Sequence, residues 1–263
     1  MADPVKGLAG LPQALEPDSS GMLLVALHGW MLSSRLWQPL NAELQQRWRL
    51  WCPDLPGFGA EPRPVGLQPS LASYGRWVSE ACRRIAPHAP VVLMGHSLGG
   101  SIALHAATSL GPQLRGVIQI AAGGGVYQPR AFARVRRGGS LFLRFRPGWL
   151  AELPGTEAIR SPLLAEARAA RGLLACSTNR GAVSQLPALT AALRVPSLWI
   201  AGSQDQVMAP RYVRHLAGYA PDHELAVIPD CGHLPMRQCP RQLAALIDAW
   251  LERLPLQLPS PDP

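Results

Sequence analysis

The chain has 263 residues, 48% of them hydrophobic and 16% charged, with a net charge of +8 and a pI of about 9.9. That length suits one large domain or a core with one inserted subdomain, and the composition excludes a disordered chain. No apolar run approaches the roughly 20 residues needed to span a bilayer, and the positive charge, 24 of whose 25 bearers are Arg, comes with no recognised nucleic-acid motif.

In chain order, residues 1–21 contain a single Lys, early prolines and no charged-then-apolar pattern. They read as a flexible leader and not a signal peptide, and the expected location is cytoplasmic. Met22 to His28 is a short apolar run suited to a buried parallel strand. Ser34 to Gln46 has helical spacing, Arg49 to Cys52 reads as a strand stopped by Pro53, and Asp54 to Ala60 is a loop by its Pro and Gly content. Ser70 to Ile85 is an amphipathic helix with Leu71, Tyr74, Trp77, Val78, Ala81 and Ile85 on one face. Val91 to Met94, Val117 to Ala121, Ser197 to Ala201 and Leu225 to Ile228 are further strands. Ser101 to Ser109, Arg211 to Ala217 and Arg241 to Leu251 are further helices. This alternation predicts an α/β fold, a mostly parallel doubly wound sheet covered on both faces.

The rhythm breaks after Ala121. Residues 123–192 read as helices and loops without a strand, an inserted helical cap between the two parts of the core, 22–122 and 193–253. The Pro-rich residues 254–263 form a flexible tail. The cap holds ten Arg and three Glu, a net +7, which leaves +1 for everything else. The five cysteines are odd in number and irregular in spacing, so neither a disulfide framework nor a zinc site is expected. Cys231 stands apart because it lies two residues before His233.

The chemistry gathers in three places. Gly95-His96-Ser97-Leu98-Gly99-Gly100 joins a strand to a helix. A serine on such a turn is strained and thrust into the open, and the flanking glycines remove side chains that would collide. A bare G-x-S-x-G occurs by chance in about one chain in ten at average composition; the strand–turn–helix setting is what lends this one weight. A serine hydroxyl needs a base. Of seven histidines, His233 follows the last strand in Asp230-Cys-Gly-His-Leu-Pro and can descend onto the sheet edge that carries Ser97. His28 is expected to shape its loop, and His105 to be structural. The base needs an orienting carboxylate. Asp205 follows the strand SLWIAG at the same edge, with Asp54 as the rival and Asp230 too near His233 to face it. The backbone N–H groups of Leu98 and Trp30 are candidates for an oxyanion hole. No metal or organic cofactor is implied.

The pieces LHGW, DLPGFG, GHSLGG, AGSQDQVMAP and IPDCGHLP, in this order, resemble the α/β-hydrolase superfamily over residues 22 to 252. That resemblance implies a Ser97–Asp205–His233 triad and a substrate-selecting cap. LHGW and DLPGFG are similar to the pimeloyl-carrier-protein methyl ester esterases. The stretch AAGGGVYQPRAFARVRRGGSLFLRFRPGWL is similar to cyanobacterial hydrolases allied to chlorophyll dephytylases. The expected function is hydrolysis of a carboxylic ester with a long apolar part. Alternatives are a lyase or acyltransferase working through the same triad, or a non-catalytic binder. Phe142, Phe145 and Trp149 either line an apolar tunnel or pack the cap onto the core. Arg134, Arg136 and Arg137 either attract a carrier protein or an anionic membrane surface, or form a solvated basic face. No nucleic-acid partner is expected.

Overall fold

A computed structural model describes residues 21–153 and 157–254. The expectations for the leader and the tail fall on residues 1–20 and 255–263, outside the described residues. Six strands are present: β1 Leu23–Leu27, β2 Arg49–Trp51, β3 Val91–His96, β4 Leu114–Ile120, β5 Ser197–Gly202 and β6 His223–Ile228. They form one sheet of order β2-β1-β3-β4-β5-β6, every neighbouring pair parallel. The order reverses once, beside β1 and β3, the kind of point at which open parallel sheets hold ligands.

The apolar runs are continuous because the inner strands are buried on both faces. In β1, Leu23, Val25 and Leu27 join one core cluster while Leu24 and Ala26 join the other. The first cluster packs under α2 (Leu71–Ile85), α3 (Leu98–Leu110) and α8 (Pro210–Ala217). The second packs under α1 (Gln38–Leu44), the short α9 (Pro235–Gln238) and α10 (Pro240–Leu251). The edge strands β2 and β6 are the least buried.

Two local differences from the sequence reading have simple causes. The segment expected to be one helix over Ser34 to Gln46 is a 3₁₀ turn, Ser34–Trp37, followed by α1. Pro39, near the start of α1, lacks the N–H a longer helix would need. The helix expected to start at Ser101 starts at Leu98, directly behind Ser97, because Gly99 and Gly100 lie inside it as contact points. A Cβ on Gly99 would come within 2.2 Å of the Leu27 carbonyl oxygen, so only glycine lets α3 lie so close to β1.

Among the described residues, four α-helices run between β4 and β5: α4 Pro129–Phe145, α5 Glu157–Leu164, α6 Ala167–Ser177 and α7 Arg180–Ala191. No strand is assigned to the described residues of this segment. Leu143, Ala169, Leu173 and Leu186 are buried in the first core cluster, so the segment is packed onto the core by apolar contacts.

Candidate active site

Ser97, Asp205 and His233 follow β3, β5 and β6, all at the carboxyl edge of the sheet. Ser97 has φ 51° and ψ −117°, a conformation an L-residue adopts only where its surroundings impose it. The imposition is visible: the Ser97 N–H donates to the Ile120 carbonyl at 3.1 Å, and Gly95 lies so close to Gly100 that a Cβ would stand 2.5 Å from its backbone. The strained turn is thus locked between β4 and α3.

His233 Nδ1 lies 2.8 Å from Asp205 Oδ2. Nδ1–H donates to the carboxylate, which leaves the Nε2 lone pair available as a base. The other carboxylate oxygen, Oδ1, accepts the N–H groups of Val207 and Met208, each at 2.8 Å. The Asp205 side chain is fully buried while the His233 ring keeps some exposure. The carboxylate is therefore held on both sides, and the imidazole hangs from it toward solvent.

The other carboxylates are engaged elsewhere. Asp54 Oδ1 accepts the Ser34 N–H at 2.6 Å and Oδ2 accepts the Ala60 N–H at 2.7 Å. Gly59, at φ +55°, makes room for it. Asp54 thus ties the loop after β1 to the loop after β2. Asp230 Oδ1 takes a hydrogen bond from Gln204 Nε2 at 3.1 Å. His28 is a loop former: the Leu55 N–H donates to its Nε2 at 2.9 Å, so Nδ1 carries the proton and donates to the Gly29 carbonyl at 2.8 Å.

Trp30 links core and insert. Its indole N–H donates to the Ala170 carbonyl of α6 at 2.9 Å, and its ring lies against Gly139 of α4, where a Cβ would stand 2.8 Å away. No described backbone carbonyl takes the Trp30 main-chain N–H. Leu98 opens α3, where an N–H has no partner within the helix. Both candidate oxyanion donors are thus free to meet an acceptor. Met31, next to Trp30, is also at positive φ, 61°.

Three supports were not read from the sequence. His96 Nε2 lies 2.8 Å from the His233 main-chain oxygen, so it is the N–H form that donates there and fixes the loop carrying His233. Complete burial, reinforced by the neighbouring His233, pushes the His96 pKa down to about 3, so the ring is neutral. Gln238 Oε1 accepts the Gly232 N–H at 2.8 Å. Cys231 and Cys239 form a disulfide across the same loop, which corrects the expectation of no disulfide for that pair. The turn of α9 brings residue 239 back beside residue 231, a closeness that linear spacing does not display. Cys52, Cys82 and Cys176 are free, and burial pushes the Cys52 and Cys82 thiols up to about 12.

The candidate aromatics and arginines of residues 123–192 divide. Phe142, Phe145 and Trp149 are exposed, by 41, 68 and 65%; an enclosed tunnel would bury them, while their neighbours Leu143 and Ala151 turn inward. Arg134 and Arg137 are exposed, whereas Arg136 donates to the Thr178 carbonyl at 2.7 Å and holds α4 to the end of α6.

The alpha/beta hydrolase family model matches residues 24–246. The chain belongs to that family. This hydrolase is 32% identical over 257 residues to a pimeloyl-acyl-carrier-protein methyl ester esterase of Xanthomonas campestris pv. campestris, covering 89% of this chain and 97% of the relative. It is 29% identical over 272 residues to the enzyme of that name from Xylella fastidiosa, covering 92% and 99%. Among solved structures it is similar to an esterase from Thermogutta terrifontis, with TM-score 0.72, 26% identity and coverage of 89% and 90%. MenH from S. aureus shares the fold, with TM-score 0.70 at 18% identity over 88% and 92%. Among the described residues of this hydrolase, no helix is long and apolar enough to cross a membrane.

Proposed function

We propose that this ester-cleaving α/β-hydrolase works by acyl transfer through Ser97, with His233 as general base and Asp205 as its orienting carboxylate. The observation that carries the reading is the 2.8 Å His233 Nδ1–Asp205 Oδ2 contact, made at the sheet edge that bears the strained Ser97 turn. Ser97 Oγ forms a bond to the ester carbonyl carbon as His233 Nε2 takes its proton. The oxyanion is met by the N–H groups of Leu98 and Trp30. Collapse breaks the bond to the alcohol oxygen, which leaves with the proton from His233. Water then attacks the acyl-enzyme, giving its proton to His233, and the acid departs as Ser97 regains a proton. Residues 22–122 and 193–253 form the catalytic core in this reading, and residues 123–192 its cap.

The substrate class proposed is a carboxylic ester whose acyl chain is borne by an acidic carrier protein. The names of the relatives support it, as do the +7 charge of residues 123–192 and the exposure of Arg134 and Arg137. The proposed compartment is the cytoplasm, where the three free thiols fit and the Cys231–Cys239 disulfide is the unusual feature.

The reading is tested with a fluorophosphonate probe and the pimeloyl-carrier methyl ester. Wild-type protein is expected to be labelled and to release methanol. Ser97→Ala is expected to do neither. Labelling that survives the substitution removes Ser97 as nucleophile.

A further inference from the structure

We infer that this protein carries a second polar site, a receptor for a phosphate-ester group, in the seam between the core loops and the insert. A cleft of about 310 Å³ opens there. Ser33, Ser34 and Arg35 reach it from the loop after β1, Asp54 from the loop after β2, and Arg160 and Ser161 from α5. It is distinct from the triad, none of whose residues lines it.

The chemistry of the lining is one-sided. Ser33 is only 7% exposed, and its hydroxyl caps nothing. Ser161 Oγ is enclosed and has no hydrogen-bond partner. Neither Arg35 nor Arg160 has a hydrogen bond or ion pair among the described residues. The Asp54 carboxylate already takes a backbone N–H on each oxygen. Among the described lining residues, two arginines and three serines thus stand beside one carboxylate, which is already engaged.

A buried polar group left without a partner costs free energy, a cost that falls on the Ser33 and Ser161 hydroxyls, while the two exposed arginines add positive charge. Planar guanidinium forks match phosphate oxygens two at a time. The two positive charges exceed the single negative charge of Asp54. The cleft is larger than a phosphate alone and has room for the carbon atoms that bear it.

Its place suggests what that group belongs to, and this step rests on the acyl-transfer reading above. Ser33 is three residues beyond Trp30, the candidate oxyanion donor, so the backbone between them spans at most about 11 Å. In the sheet, β1 and β2 stand one and two places from β3, ~5 and ~10 Å at the usual strand spacing. The loop after β1 thus carries both the candidate oxyanion donor Trp30 and the Ser33–Arg35 side of the cleft. The structure assigns the site to substrates that carry a phosphate ester in addition to the scissile ester.

The test uses the full chain and inorganic phosphate, at an ionic strength held constant with sodium chloride. Phosphate, and glycerol 3-phosphate likewise, are expected to bind saturably by calorimetry and to raise Tm. The Arg35→Gln/Arg160→Gln double variant is expected to lose at least about tenfold in affinity, the scale of hydrogen bonds to charged groups. Both side chains are exposed, so that variant folds whether or not Ser33→Ala does. Hydrolysis of a short neutral ester is expected to be unchanged in it. Absence of saturation below roughly 50 mM phosphate, equal affinity in the double variant, or equally tight binding of acetate each overturns the proposal. The same titration on Ser97→Ala keeps the two readings apart. Phosphate binding there tests the cleft alone, while the loss or survival of ester hydrolysis tests the nucleophile.

Discussion

Asp205 and Asp54 both follow strands at the same sheet edge, and their partners tell them apart. Asp205 offers one oxygen to His233 and the other to two backbone N–H groups; Asp54 spends both oxygens on backbone N–H groups of the two loops it joins. Asp205→Asn is accordingly expected to keep the fold and lower kcat by about 10⁴-fold, since an amide favours the wrong imidazole tautomer. Asp54→Asn is expected to leave kcat near wild type and to lower stability by about 1–2 kcal/mol, because one loop N–H then faces an NH₂ group. Measured kcat and urea midpoints for the two variants check this, and a collapse of kcat in Asp54→Asn alone would reverse the assignment. His96 and His28 give a second prediction at this scale. Burial lowers both pKa values, His96 to about 3. In the unfolded chain each titrates near 6.5. Below that value the unfolded state binds protons that the folded state refuses, so stability is full above about pH 6.5 and falls as pH drops below it, for His96 on down toward 3, by up to about 1.4 kcal/mol per pH unit for that histidine. Urea midpoints at pH 7.5 and 5.0 measure the slope. His96→Gln is expected to flatten it, and an unchanged slope refutes the part given to His96.

Strand β3 and helix α3 act as one unit through glycines. Gly95 touches Gly100 across the turn, and Gly99 touches the carbonyl of Leu27. These contacts hold the backbone of Ser97 in its strained form, so the glycines serve as spacers as much as flexible points. Gly99→Ala is expected to destabilise the fold by about 1–3 kcal/mol, the usual cost of overpacking, and to lower kcat by displacing the Leu98 N–H and Ser97. Thermal unfolding together with probe labelling checks this; full labelling at wild-type Tm contradicts it. On the far side of the site, the β6–α9 loop is fastened by His96, Gln238 and the Cys231–Cys239 bridge. None of these fasteners bears on Asp205 itself, so they position the imidazole loop as a whole.

At the scale of the molecule, charge separates insert from core. With Arg136 bound to the Thr178 carbonyl, Arg134 and Arg137 are the members of that trio free to meet a partner. An exposed charge of this kind steers association, raising rates by roughly 10- to 10³-fold in a manner that fades as salt screens it. Reversing Arg134 and Arg137 to Glu is expected to leave kcat/KM for a small neutral ester unchanged and to lower it on a carrier-borne ester by at least tenfold, with the deficit shrinking between 20 and 300 mM salt. Arg136→Glu is expected to lower Tm in addition. Equal losses on both esters would assign Arg134 and Arg137 to the structure of the insert. Losses only on esters embedded in anionic vesicles would point to a lipid surface and away from a carrier protein.

The sequence by itself determined the sheet, its parallel pairing and the edge at which Ser97, Asp205 and His233 emerge. Each of those rests on local signals: apolar runs that only a doubly covered sheet can bury, and turn residues placed at strand ends. It also made His28 a loop former, because a histidine beside Gly29 at a strand end has backbone groups within reach. Which carboxylate faces His233, how His96 fastens its loop, that Cys231 meets Cys239 and that Arg136 is tied down while Arg134 is free were decided by tertiary structure. So was the cleft that gathers Ser33, Arg35 and Arg160. All of these depend on side chains far apart in the chain and brought together by packing. Their partners are set by direction in space, which the period of a helix or a strand does not encode.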